Sequence, residues 1–242
     1  MTFILPSFGA SAISAVPGGG GGAWNGNTYS VKFDGSDDVM TASGTELDLK
    51  SNFSTSGWYN APNPSSAVGF LWYWGQNYSG RRRALLLISG QWNFNFNGTP
   101  AVTSTSTASA NTWYHIVTTV NSDYSEGKIY VNGTLENTVD LSSHASDYST
   151  YTSTYLGDAP VGQGVPNVLI DEFAIFNSVL AASDVTSIYN SGTPADLSSY
   201  SPVGWWRMGD NDSGTGTTIT DQGSGSNDGT LANGPTFSTT VP

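Results

Sequence analysis

The sequence predicts an all-β sandwich of two antiparallel sheets with one short helix, and three observations predict it. Apolar residues alternate with polar ones in short segments at regular spacing, which is the period of a half-buried strand. Gly, Asn and Asp collect between those segments, where they supply the positive φ that tight turns need. Hydrophobic residues make up 37% of the chain and aromatic ones 12%, against only 11% charged. Such a composition builds a packed core and excludes a disordered chain.

The first 22 residues precede any alternation. Phe3, Ile4, Leu5 and Phe8 form an apolar arm, followed by Pro17 and the glycines Gly18 to Gly22, a run that behaves as flexible coil. No Lys or Arg comes before Lys32 and Pro6 interrupts the apolar stretch, so a secretory leader is not the favoured reading. Two roles stay open for the arm: a tail folded back on its own domain, or an anchor on a larger assembly. Tyr29-Ser-Val-Lys-Phe33 then alternates and runs into an acidic turn containing Asp34, Asp37 and Asp38. Further strands are predicted at 53–59, 68–74, 83–88, 91–96, 113–120, 128–131 and 168–176. Ser89-Gly90 reads as a two-residue hairpin turn. Val185, Ile188 and Tyr189 share one helical face, and Asn190-Ser-Gly192 with Pro194 stops that helix. A last strand is predicted at 203–208. The roughly forty residues that contain it cannot bury enough surface to fold alone. Residues 23–242 are therefore expected to be one domain whose C-terminal strand packs back on it.

Charge and composition exclude several functions. Seven Lys+Arg against 19 Asp+Glu give a formal net charge of -12, which leaves little basic surface for nucleic acid. The absence of Cys removes disulfides, thiolate metal sites and cysteine catalysis. No apolar run reaches the roughly eighteen residues of a membrane-spanning helix.

Several stretches together resemble one family. They are Tyr29-Ser-Val-Lys-Phe-Asp-Gly35, Phe53-Ser-Thr-Ser-Gly-Trp58, Asn111-Thr-Trp-Tyr-His-Ile-Val117, Lys128-Ile-Tyr-Val-Asn-Gly133, Tyr155-Leu-Gly157 and Leu169-Ile-Asp-Glu-Phe-Ala-Ile-Phe-Asn177. In this order, with the helix at 180–192, they resemble the laminin-G-like branch of the concanavalin A-like lectin/glucanase superfamily. The resemblance implies a jelly-roll sandwich with one convex and one concave sheet. Ala181 stands where such domains usually carry a capping Ser or Thr, so the cap is expected to move to Ser183. Gly204-Trp-Trp-Arg-Met-Gly-Asp210 looks like the opening of such a domain, yet it comes near the end.

The superfamily contains glycan-cleaving enzymes, and retaining hydrolysis needs two carboxyl groups about 5–5.5 Å apart. The nearest pair is Asp171-Glu172, adjacent residues that regular alternation would turn to opposite faces. His115 within a strand and His144 in a polar loop suggest no triad. No catalytic residue is expected.

Binding residues are the alternative. Phe70-Leu-Trp-Tyr-Trp74 is the densest aromatic cluster, and alternation places Phe70, Trp72 and Trp74 on one face with Leu71 and Tyr73 on the other. Trp72, Tyr73, Trp74 and Tyr78 are candidate glycan contacts, although a buried core strand has the same pattern and is favoured. Arg81, Arg82 and Arg83 hold three of the seven basic residues and could grip an anionic saccharide or an acidic subunit. A solvated hairpin end is the plainer reading. Asp210, Asp212, Asp221, Asn227 and Asp228 could hold a structural calcium ion, as many laminin-G-like domains do, although Asp and Asn are also ordinary turn residues. Otherwise no cofactor is expected.

Such domains usually meet polysaccharide or protein outside cells. Taken with the missing leader, this suggests a non-enzymatic virion subunit, a bacteriophage head decoration, fibre or tail component. Residues 1–22 would dock on capsid or tail proteins, and a homo-oligomer at the virion surface is expected. The alternative is a secreted lectin-like module that binds surface polysaccharide, with a glycan hydrolase a distant third.

Overall fold

The computed structural model describes residues 26–49, 52–65, 68–75, 82–96, 99–145, 151–158 and 166–242. The strands of the first half are β1 (Ser30–Asp34), β2 (Val39–Ser43), β3 (Phe53–Asn60), β4 (Val68–Gly75), β5 (Arg82–Ile88), β6 (Gln91–Phe96), β7 (Thr99–Thr103) and β8 (Trp113–Val120). Then come β9 (Gly127–Val131), β10 (Thr134–Val139), β11 (Ser153–Leu156), β12 (Asn167–Phe176), the helix α1 (Ala182–Tyr189), β13 (Gly204–Trp206), β14 (Thr218–Ile219), β15 (Gly229–Ala232) and β16 (Thr236–Ser238). They form two antiparallel sheets of eight strands. The first runs β10-β9-β8-β3-β12-β1-β16 with β13 also on β12, and the second runs β14-β15-β2-β11-β4-β5-β6-β7.

The core fills the space between the sheets. Val31, Phe33, Leu85, Phe94, Ile116 and Ile170 are all closed to solvent there, each from an inward position of a two-residue repeat. The hairpin turns follow from their residues. Ser89 and Gly90 both have positive φ, as do Asn132 and Gly133, the signature of a turn whose twist matches the strands it joins.

Val185 and Ile188 of α1 pack on Val117, Tyr130 and Phe176, on the outer side of the first sheet. Its cap does not move to Ser183. The Asp184 carboxylate accepts the Ala181 N–H at 3.3 Å, half of a capping box that needs no hydroxyl. Asn190 ends the helix in the left-handed region, at φ 46°.

Residues beyond 200 supply strands to both sheets: β13 pairs with β12, β15 with β2, and β16 with β1. One edge of β12 carries β3 along most of its length. The other is shared, with β1 on Asn167–Ile170 and β13 on Phe173–Ile175. The first strand and a late strand therefore lie end to end in one slot. At the seam β12 bulges between Asp171 and Ala174, and Glu172 takes φ 46°, which is uncommon for a residue with a side chain.

Candidate functional site

The aromatic strand divides its rings differently from strict alternation. In β4 the register shifts between Phe70 and Trp72, a bulge that sends Leu71, Trp72 and Trp74 all into the core and leaves Phe70 and Tyr73 on the outer face. Trp72 and Trp74 are closed to solvent between the sheets, so they are core residues. Phe70 and Tyr73 are closed as well, at 1% and 0% exposure, and burial pushes the Tyr73 hydroxyl up to about 12. None of these rings offers a bare face to a sugar. Trp205 and Trp206 do split across faces, but both are buried.

The basic cluster also divides. Arg82 lies over the Phe70 ring at 5.5 Å. Arg83 turns inward with 0% exposure, stacks over Phe96 at 4.2 Å and donates to the Tyr124 hydroxyl at 3.3 Å. It is neither a surface grip nor a solvated hairpin end. Tyr78, Arg81 and the arm residues Phe3, Ile4, Leu5 and Phe8 lie outside the described residues.

The residues considered for calcium are engaged in hydrogen bonds of their own, and no three of their carboxylates converge on one point. Asp221 accepts from Trp205, Gly223 and Asn227 at 2.7–2.8 Å, and Asp228 accepts from Asp221. Asp212 holds both the N–H and the hydroxyl of Thr220. Asn227 reaches Glu46 instead. Asp210 accepts from Thr28 and Tyr29. The carboxylates that do converge among the described residues are Asp34, Asp37 and Asp38, with oxygens within 4.8 Å of one another. Turn hydrogen bonds already engage Asp34 and Asp38.

The adjacent carboxyls of the hydrolase test sit in the β12 seam. The bulge cancels the alternation that would separate them, and both are buried, Asp171 at 0% and Glu172 at 2%. Glu172 accepts the Trp205 indole N–H at 2.6 Å and Arg207 Nε at 3.0 Å. Arg207 also donates to Asp210 at 3.0 Å and to the Gly26 carbonyl, while Asn27 donates to Asp171. Burial pushes Glu172 up to about 7 against the pull of Arg207 and Trp205. Burial and the Glu172 charge drive Asp171 well up. These groups fasten β1, β12 and β13 together. His115 is buried too; its Nε2 shares a 2.8 Å hydrogen bond with Ser56, and burial pushes it down to about 3. It is a neutral ring at physiological pH.

The open geometry lies elsewhere, on the outer face of the first sheet. Trp58 and His115 are cross-strand partners in β3 and β8, with ring centroids 5.0 Å apart. Tyr189 of α1 stacks over both, at 5.8 Å and 6.1 Å. Beside Tyr189, the Asn132–Gly133 turn and the end of α1 enclose a hollow of about 540 Å³. Thr134, Ser187, Asn190 and Ser191 complete its wall. A β-carbon on Gly133 would come within 3.0 Å of the Tyr189 ring, so glycine permits that approach. Thr186 ties helix to turn by donating to the Gly133 carbonyl. Among the described residues, none that lines the hollow is charged. It offers amides, hydroxyls and one half-buried ring, the groups that grip an uncharged polyol. The sequence flagged Tyr189 only as a helix-face residue and Asn132–Gly133 only as a turn. Their meeting depends on α1 crossing the sheet, for which no local signal exists.

Two antiparallel sheets packed as a sandwich, with a short flanking helix, form a concanavalin A-like architecture. The chain belongs to the concanavalin A-like lectin/glucanases superfamily, whose laminin-G-type family model matches residues 33–186. A Bacteroides ovatus protein assigned to carbohydrate binding superposes with a TM-score of 0.66 at 16% identity, over 88% of this chain and 60% of that one. The chain thus spans about 60% of the length of that protein. A heptameric pentraxin of Limulus polyphemus gives 0.53 at 10% identity, over 67% and 82% of the two chains. The binding domain of botulinum neurotoxin serotype D/C gives 0.53 at 18% identity, over 69% and 46%. At these identities the likeness is one of fold. Among curated proteins no match was found. Among the described residues, no helix is long and apolar enough to cross a membrane.

Proposed function

We propose that this protein is a non-catalytic, extracellular glycan-binding module whose Tyr189 hollow takes an uncharged sugar. The observation that carries this reading is the hollow itself: an aromatic ring beside amides and hydroxyls, free of charge in a chain of net charge -12. The family supports it, and so does the resemblance to a protein assigned to carbohydrate binding. The buried carboxylates of the β12 seam are held by Arg207, Trp205 and Asn27, which supports a structural rather than a hydrolytic role for them. A virion subunit displaying the same module rests on residues 1–22, outside the described residues.

A glycan array tests the proposal. Saturable binding to neutral glycans is expected, and it should be lost both in Tyr189→Ala and in Ser187→Trp, which fills the hollow from an exposed position. Binding retained in both folded variants would place the sugar elsewhere. No binding to any neutral glycan would overturn the function.

A further inference from the structure

A second hollow, of about 350 Å³, opens on the same outer face. We propose that it is a separate site for a carboxylated saccharide. Lys32 of β1, Leu169 of β12 and Asn60 of β3 stand in one cross-strand row, so the sheet itself sets their spacing. Trp113 of β8 continues the row. Asn111 and Asn167 add two exposed amides, and Pro62 with Leu169 provides apolar surface.

Each group has a counterpart in an acidic sugar. An asparagine amide carries a donor and an acceptor side by side, which match two neighbouring ring hydroxyls. Pro62 and Leu169 suit the C–H face of a pyranose. Among the described residues, the ammonium of Lys32 is the one charge in the lining, and it suits a carboxylate. Asp34, two residues along β1, is turned to its own turn, where it accepts the Ser36 N–H at 2.8 Å. With a net charge of -12, the chain as a whole repels anions, so a preference for an acidic sugar has to arise from this local cation. Strand positions hold such a constellation more firmly than loops do.

The row lies two residues along β3 and β8 from the Trp58–His115 pair, and none of its residues lines the Tyr189 hollow. The site therefore stands or falls independently of the neutral one.

Calorimetric titration of the whole chain with a hexuronic acid oligosaccharide and its carboxyl-reduced, neutral counterpart tests the assignment. The acidic oligomer is expected to bind about tenfold tighter than the neutral one, the scale of a hydrogen bond to a charged group. Lys32→Gln should erase that difference, Asn167→Ala should weaken binding of the acidic oligomer, and Ser187→Trp should leave the acidic oligomer untouched. Lys32 and Asn167 are exposed, so these variants are expected to fold. Equal affinity for the two oligomers, or an acidic preference that survives Lys32→Gln, would overturn the site. Loss of the acidic preference in Ser187→Trp would assign it to the Tyr189 hollow and would equally overturn it.

Discussion

Replacing Arg207 by methionine removes the cation from the seam where β1 and β13 meet on β12. Arg207 is 3% exposed and pairs with Glu172 and Asp210, at 2% and 1% side-chain exposure. Methionine keeps much of the length and leaves Glu172 and Asp210 buried without their cation, held by neutral N–H donors. Breaking a buried pair from one side costs about 3–5 kcal/mol, a large share of the roughly 5–15 kcal/mol that holds a domain folded. At about 2–4 °C per kcal/mol for a chain of this size, Tm should fall by roughly 6–20 °C. The loss should also depend on pH. Burial raises Glu172 from 4.5 to about 7, and raises Asp171 and Asp210 as well. The folded chain thus holds protons more tightly than the unfolded one, and this contribution to stability declines as pH climbs from 4.5 toward 7. Without Arg207 the carboxyl rises further and the decline extends above neutrality. Urea melts at about pH 5 and about pH 8 should therefore show the larger loss at the higher pH. The double variant Glu172→Gln/Arg207→Met should recover much of it. A loss below about 1 kcal/mol, or one equal at both pH values, would refute a seam held by charge.

Two further substitutions test the fold around the site. Trp72→Ala empties a position closed to solvent between the sheets and should cost about 3–5 kcal/mol. Glycan affinity of the folded fraction should stay unchanged, and a urea melt run beside a binding titration separates the two effects. Gly157→Ala forces a β-carbon to within 2.1 Å of Phe33 at φ 86°, and should destabilise by about 2 kcal/mol or more in calorimetry. Wild-type melting would mean that β1 and the end of β11 can slide apart.

The strands β3, β6, β8 and β12 were legible because each carries aromatic or branched apolar residues over six to ten positions. The unpredicted strands β2, β7, β10, β11 and β14–β16 have at most six residues. One of them, β10, is mostly polar and has no buried residue, so its burial pattern hardly differs from that of a loop. The faces of β4 could not be read, since a bulge at Leu71 shifts the phase of every residue after it. Alternation counts residues and cannot register one that drops out of the ladder. The same blindness affected Asp171 and Glu172. Strict alternation separates them, whereas the positive φ of Glu172 lets both be buried against Arg207, Trp205 and Asn27. In both places the residue types were informative and the direction of the side chains was not.

The site was less legible than the fold because sheet order assembles it from distant segments. Lys32, Asn60 and Leu169 become neighbours only when β12 enters between β1 and β3, and Tyr189 reaches Trp58 only when α1 crosses the outer face. The aromatic residues that stand out in the sequence, Phe70 to Trp74, were recruited to packing, the usual fate of large apolar rings. Among the described residues, the two hollows both lie on the outer face of the first sheet, one at the end of α1 and one beside β1. Their described linings supply mainly amides and hydroxyls, with the Lys32 ammonium in the second. Recognition on such a surface relies on hydrogen-bond geometry more than on apolar area, and that geometry is set by the register of β1, β12, β3 and β8.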